Sequence, residues 1–427
     1  MKRLLLPLLA LISAPAPAQT VAITGGKVVI GDGSAPIDGG TVIVSNGRIV
    51  AAGRDVAIPA GAQRIDATGK WVTPGIVAGF SRIGLAGVDA VDESNDSSAK
   101  ATPFSAALDI ALAVNPDVEA ISVNRAAGVT RAVVSPEAGN AIFAGQGAVI
   151  DTGADPDAIT RAKAFQFVEF GEGGARRAGG SRPALFAAFR DALAEARDYK
   201  AGKLREDSLL KRADAAALVP VVTGAQKLVI HVESAPDILA VLSLKREYPA
   251  LSLVLVGVTE GWRVASQIAA SGVPVIASAV NDLPAAFEQI AATQSNVGRM
   301  KAAGVTVAIG MIDDDDTRQA MHAAQYAGNL VALTRVPGAI GLNWDEAFAA
   351  ITSKPAQVIG MGAEIGSLQP GRRGDVVIWD GDPLEVTSGV EAVWIDGVRQ
   401  SLETRQTRLR ARYANPKEGS LPKAYER

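Results

Sequence analysis

The chain has 427 residues, of which 48% are hydrophobic and 20% charged; this excludes a disordered protein and leaves room for one large core plus a smaller unit. Lys and Arg number 42 against 45 Asp and Glu, a net charge of −3, so there is no basic excess for a nucleic-acid surface and no nucleic-acid partner is expected. Cysteine is absent, which removes disulfides and cysteine-linked lipid anchors.

The chain begins with Lys2 and Arg3, a short apolar run from Leu4 to Ile12, and Ala16-Pro17-Ala18. This pattern reads as a bacterial secretory signal peptide over residues 1–18, cut before Gln19, and predicts a periplasmic or secreted protein. The apolar run is short for a bilayer span, and no later segment reaches membrane length, so no membrane partner is expected after cleavage. From Gln19 to about residue 72 the pattern is one of short strands: Val21–Thr24, Val28–Ile30, Thr41–Val44 and Ile49–Ala52, with Asn46-Gly47 as a hairpin turn. From Trp71 onward, apolar runs alternate with longer helical stretches. Gly75–Gly79, Thr130–Ser135, Leu228–Val232, Leu251–Val256, Val273–Ala277 and Val305–Ile309 read as buried parallel strands, and Arg182–Lys200 as an amphipathic helix. Repeated strand–helix units over residues 73–363 predict a TIM-like (β/α)8 barrel. Short strands return at Val376–Trp379 and Val390–Ile395. Residues 364–400 are therefore expected to join residues 19–72 in one composite β-sandwich. An Arg-bearing tail over 401–427 reads as a surface helix.

Several motifs, taken in order, resemble the amidohydrolase superfamily and within it the imidazolonepropionase-like group. They are Trp71-Val72-Thr73-Pro74-Gly75-Ile76, Asn115-Pro116-Asp117, Gly128-Val129-Thr130, Gly145-Gln146-Gly147, His231-Val232-Glu233, Thr259-Glu260-Gly261-Trp262 and Ile365-Gly366-Ser367-Leu368-Gln369-Pro370-Gly371 followed by Gly374-Asp375-Val376-Val377. The resemblance implies an α/β barrel beside a composite β-sandwich, a small-molecule substrate, and hydrolysis of C–N bonds in non-peptide or cyclic amides. It also implies a divalent metal, zinc, that activates water and polarises the carbonyl. The usual ligands are a His-x-His after strand one, a Lys on strand four, a His on each of strands five and six, and an Asp on strand eight.

In this chain the strand-one pair falls on Phe80 and Arg82, strand four near Phe167, and strand six on Gly257. Only His231 and Asp313 remain as candidate ligands, so no intact metal site is expected and the site reads as degenerate. The chain holds just two His, whereas a catalytic zinc takes about three protein ligands plus water. Asp313 and His231 are the candidate catalytic residues, as base and as carbonyl polariser. Arg82, Glu233 and Glu260 are candidates for substrate binding, with Arg82 a cation that could replace the metal and pair with Asp313. Each has a plainer alternative: a rim histidine, a helix cap for Asp313–Asp316, a loop arginine, rim acids. His322, in a helical stretch, reads as structural. Two functions follow. One is a hydrolase acting on C–N bonds; the other is a metal-free pseudoenzyme or accessory binding protein. The substrate and the oligomeric state, a homo-oligomer included, stay open.

Overall fold

The computed structural model describes residues 20–88, 91–203, 207–312 and 318–414. The expected signal peptide, its cleavage site and Asp313–Asp316 lie outside the described residues. Two sheets organise the protein. The first uses both ends of the chain. Strands β1 (Val21–Val28), β2 (Ile37–Ser45), β3 (Arg48–Gly53), β4 (Gln63–Asp66) and β5 (Trp71–Pro74) come from the start. The barrel strands then follow: β6 (Ile76–Ser81), β7 (Val129–Val134), β8 (Phe143–Asp151), β9 (Ile159–Glu169), β10 (Lys227–Val232), β11 (Ser252–Gly257), β12 (Val275–Ala277) and β13 (Val307–Ile309). Strands β14 (Val376–Trp379), β15 (Val390–Ile395) and β16 (Val398–Arg399) return to the first sheet.

In that sheet the order is β16-β15-β14-β5-β1-β2-β3, with β4 also on β1. Strand β1 pairs through Val21–Thr24 with β4 and through Lys27 and Val28 with β5, bulging at the glycines between. This break in the ladder lets one strand serve both flanks of a curled sheet. The two chain ends meet where β5 pairs antiparallel with β14, and Val28, Val72, Val376 and Trp394 share one apolar core. The composite β unit read from sequence is thus present. Its turns follow the expected chemistry: Asn46 and Gly47 both adopt positive φ, at 51° and 72°, as do Asp396 and Gly397.

The second sheet runs β6 to β13 in chain order. Phe80 O at its first strand accepts a hydrogen bond from Met311 N, just past its last, at 2.9 Å, which brings the ring together. The barrel has one irregularity: β8 runs antiparallel to both β7 and β9. Residues 135–142 and 152–158, its two connections, contain no helix. A strand reached by a hairpin needs no crossover. The eight-unit reading therefore has the right strand count, with a hairpin replacing two helical crossovers. Elsewhere helices cover the barrel, including Arg182–Lys200 with the bounds expected, capped by Ser181.

The two sheets are bolted together beneath the barrel. Arg131, on β7, is fully buried. Its Nε and Nη2 donate to Asp375 at 2.7 and 2.9 Å; Nη2 also lies 2.8 Å from Asp396, and Nη1 3.3 Å from Asp151. Burial opposes the guanidinium charge, but the Asp375 and Asp396 carboxylates raise its pKa above the ordinary arginine value. One cation cannot satisfy three acids equally. Asp151 is the most distant, and its burial outweighs the attraction of Arg131, pushing its carboxyl up to about 6 from 3.8.

Two outcomes follow. Arg131→Met should cost about 3–5 kcal/mol, because it leaves buried carboxylates without their cation; urea unfolding reads this directly. The Asp151 carboxyl has a folded-state pKa raised above its unfolded value. Its contribution to stability is therefore present below the unfolded value and lost as pH rises through about 6. Relative to Asp151→Asn, the unaltered chain should lose about 2–3 kcal/mol between about pH 4 and pH 7. Parallel stability–pH curves for the two proteins would contradict this account.

Candidate functional site

The barrel interior is apolar up to its C-terminal rim, built from residues such as Val77, Val133, Phe165, Val229, Val254 and Ile276. Side chains alternate along a strand, so Phe165, Phe167 and Glu169 point the same way on β9, and Val229 and His231 on β10. Glu169 and His231 sit opposite each other in register. This places an acid and an imidazole one layer above the aromatic core.

His231 is clamped between two carboxylates. Its Nδ1 lies 2.7 Å from Glu169 Oε1 and its Nε2 3.0 Å from Glu233 Oε1. Ionised carboxylates only accept, so with both acids ionised each ring nitrogen donates and the ring carries the imidazolium charge. Burial works against that charge, but Glu169 first and then Glu233 hold the His231 pKa well above 6.5. Burial likewise works against the Glu169 carboxylate, and His231, Arg177 and Arg82 together bring its pKa below 4.5. Glu233 is further fixed by Thr259 N, which donates to its Oε2 at 2.8 Å.

The positions that the resemblance assigns to metal ligands are filled otherwise. Phe80 and Phe167 are 2% and 3% exposed and pack ring against ring, centroids 5.6 Å apart. Gly257 has φ +92°, and a Cβ there would lie 2.5 Å from Glu233 Oε1. The Glu233 carboxylate therefore stands in the space that a strand-six side chain would use. Both ring nitrogens of His231 are engaged by carboxylates in this arrangement. Among the described residues no group of three His, Asp or Glu side chains could hold a metal ion. The described residues do not fit the zinc site that the resemblance implies. Asp313 lies outside the described residues, and so does its expected pairing with Arg82.

Around this cluster stand further charges. Arg82 follows β6 with its side chain 12% exposed and Nη1 3.9 Å from Glu137 Oε2. Glu137 also lines a cavity of about 210 Å³ together with Ser105, Leu108, Asn140 and Asp214. Glu288 Oε2 accepts from Glu172 N at 2.7 Å, and burial raises its carboxyl pKa. Glu260 is differently placed. Its Oε2 accepts from Ala235 N and Arg263 Nη1 and its Oε1 from Ala291 N, all at 3.0 Å, so it ties three segments together. His322 packs beside Tyr326, centroids 6.2 Å apart, at the start of the helix Ala323–Ala332.

The structure thus brings His231 and Glu233 together, sets Arg82 at the same rim, and gives Glu260 to the loops. Glu169, Glu137 and Glu288 were not singled out from sequence. Glu169 was accessible there: it lies two residues past Phe167, hence on the same face of β9. Glu288 sits in a connection without periodicity and carries no such signal.

Glu169→Gln should let His231 lose its proton at lower pH, since it removes the largest raising influence on the ring. With two His in the chain, an NMR titration of the imidazole resonances isolates the effect. Because the folded-state His231 pKa is raised, its contribution to stability is full below about 6.5 and fades as pH climbs through the folded value. An unchanged His231 titration in the variant would remove the clamp from consideration.

A sequence profile for the amidohydrolase family matches residues 262–399. Amidohydrolase tasK of Hapsidospora irregularis is 24% identical over 389 residues, covering 80% of this chain and 38% of that protein. Imidazolonepropionase of Maricaulis maris is 30% identical over 145 residues, 34% of this chain and 33% of that enzyme. The chain therefore spans well under half the length of these curated relatives. The crystal structure of an amidohydrolase from Thermotoga maritima superposes with a TM-score of 0.77 at 25% identity, over 89% of this chain and 99% of that one. Barrel, composite sheet, motif order and these likenesses agree in supporting assignment of the chain to the amidohydrolase superfamily.

Proposed function

We propose that this protein binds a small molecule with an amide-type C–N bond at the mouth of its barrel and has given up metal-dependent hydrolysis there. The observation that carries this reading is the filling of the ligand positions: Phe80 packed on Phe167, and the Glu233 carboxylate in the space beside Gly257. A hydrolytic metal needs lone pairs converging on one point and an open position for water. Here the corresponding volume holds aromatic carbon and an ion cluster whose charges already compensate one another. The polar cavity of about 210 Å³ at Glu137, the residue that Arg82 approaches at this rim, gives room for part of a small ligand. Arg82 and the half-buried acids would orient it, as the few polar groups of a small-molecule site do.

One observation favours a second reading. Glu288 is half-buried with a raised pKa and lies within reach of the His231 and Glu233 charges. A carboxyl tuned towards neutrality is the usual equipment of a general base or acid. With His231 and Arg82 as fixed cations to stabilise a developing oxyanion, it would support hydrolysis of a C–N bond without a metal. Asp313, the base expected from sequence, would share or take that role.

Metal analysis and activity separate the readings. The purified chain, incubated with zinc and dialysed, should retain far less than one equivalent of metal; a stoichiometric transition metal overturns the metal-free proposal. Calorimetry against a panel of cyclic amides and dipeptide-like amides should find a ligand bound without turnover. If turnover appears, survives chelator and falls about 100-fold or more in Glu288→Gln, the second reading replaces the first.

A further inference from the structure

The helix Arg405–Ala414 stands apart from the rest of the fold. None of its residues is buried. It starts from Thr404, whose Oγ1 accepts from Thr407 N at 3.2 Å, and is tied to the body where Glu119 Oε1 accepts from Arg405 N at 2.8 Å. Ten residues make a helix about 15 Å long. Helices shorter than about 12–15 residues are marginal in water without packing. This one buries no face, so the described fold supplies little to hold it.

Its composition says what could. Arg405, Arg408, Arg410 and Arg412 give it four positive charges and it has no acid. The whole chain is −3, so everything else sums to −7; the helix is a local run of positive charge in an acidic chain. Arg408 lies 3.5 Å from Glu403, both side chains about 60% exposed, a pair of little consequence. Among the described residues, the side chains of Arg405, Arg410 and Arg412 have no ion-pair partner. Leu409 and Tyr413 are 39% and 57% exposed and stand one turn apart, on one stripe. Arg405 and Arg412 flank that stripe on one side and Arg410 on the other.

We propose that this helix docks the protein onto the surface of an anionic phospholipid bilayer. An apolar stripe between cations is the layout of a helix that lies in the headgroup plane. Leu409 and Tyr413 enter the boundary region, the tyrosine with its hydroxyl at the polar level, and the guanidiniums engage phosphate oxygens. Each cation near such a surface adds about 1 kcal/mol, and the bilayer supplies the burial that the fold does not. No helix among the described residues is long and apolar enough to cross a membrane, so the contact is peripheral and reversible. An acidic protein surface would answer the charges but leave the Leu409–Tyr413 stripe unexplained.

Co-sedimentation with vesicles tests this. The full chain should pellet with phosphatidylcholine vesicles carrying about 30% phosphatidylglycerol, stay in solution with phosphatidylcholine alone, and release in high salt. The variant Arg408→Gln/Arg410→Gln/Arg412→Gln should lose about a hundredfold in partitioning, as removal of three surface cations implies. Any contribution from the apolar residues 4–12 is common to both proteins. Leu409→Ala/Tyr413→Ala should weaken binding while keeping its salt dependence. Failure of the unaltered chain to pellet, or equal pelleting of the triple-Gln variant, overturns the proposal. So does arginine-dependent self-association seen by light scattering without vesicles, which would make the partner a second copy of the chain.

Discussion

The buried Arg131 guanidinium is the point on which the rest of the architecture depends. It reaches from a barrel strand to Asp375 and Asp396 in the segments that return from the far end of the chain. Together with an apolar core in which Val377, Trp379 and Val393 meet Ile76 and Val129, it holds the two sheets in one orientation. The bidentate geometry to Asp375 fixes direction as well as distance, which a lysine could not do. Asp375 Oδ1 also accepts from Asp396 N at 3.0 Å, so the acid that holds the arginine shapes the turn after β15. Gly128, with φ +85°, gives the nearby room: a Cβ there would lie 2.6 Å from the Trp379 ring.

At the opposite end of the barrel the electrostatic problem is solved differently. This rim holds acids, and acids without a cation are costly to bury. In this chain the compensation is internal. His231 becomes the cation, and Glu169 and Glu233 hold it from two sides. The space beside Gly257 is what lets Glu233 fold inward to reach the ring. The glycine on β11 thus has a structural consequence: it leaves the volume from which Glu233 reaches His231 on β10. Aromatic packing of Phe80 on Phe167 closes the same volume from below, and such pairs contribute about 0.5–1.5 kcal/mol beyond burial.

How far sequence reached is itself explained by physics. Strands such as β10 and β11 were visible because they are continuous apolar runs, and Arg182–Lys200 because its apolar residues recur at helical spacing. The hairpin turns carried their own chemistry in Asn46-Gly47 and Asp396-Gly397. The reversed direction of β8 was not visible, since an apolar run carries no sign of its polarity and only the absence of helices around it gave a hint. The departures of Phe80, Arg82 and Gly257 from the ligand set that the resemblance implies could be read by counting. What replaced them could not, because the clamp on His231 joins residues 62 positions apart. Glu260 illustrates the reverse error: an acid at a strand end looks like a site residue, yet its oxygens are spent on Ala235, Ala291 and Arg263.

These two ends also explain how the fold survives the change at its rim. Barrel enzymes keep chemistry on the C-terminal loops and stability on the opposite face. Arg131, Asp151, Asp375 and Asp396 lie towards the N-terminal end of the parallel strands, and none of them touches His231. A zinc site contributes to folding only where its ligands bridge elements that nothing else joins. Here β9, β10 and β11 are already paired along their lengths by backbone ladders. The strands at this rim are therefore joined without help from side chains at the usual ligand positions. His231 offsets part of the negative charge of Glu169 and Glu233, and Arg177 and Arg82 act on Glu169 as well. The same separation keeps the charges at the rim apart from those that join the two sheets, which is the sense in which function resides in the site and not in the barrel.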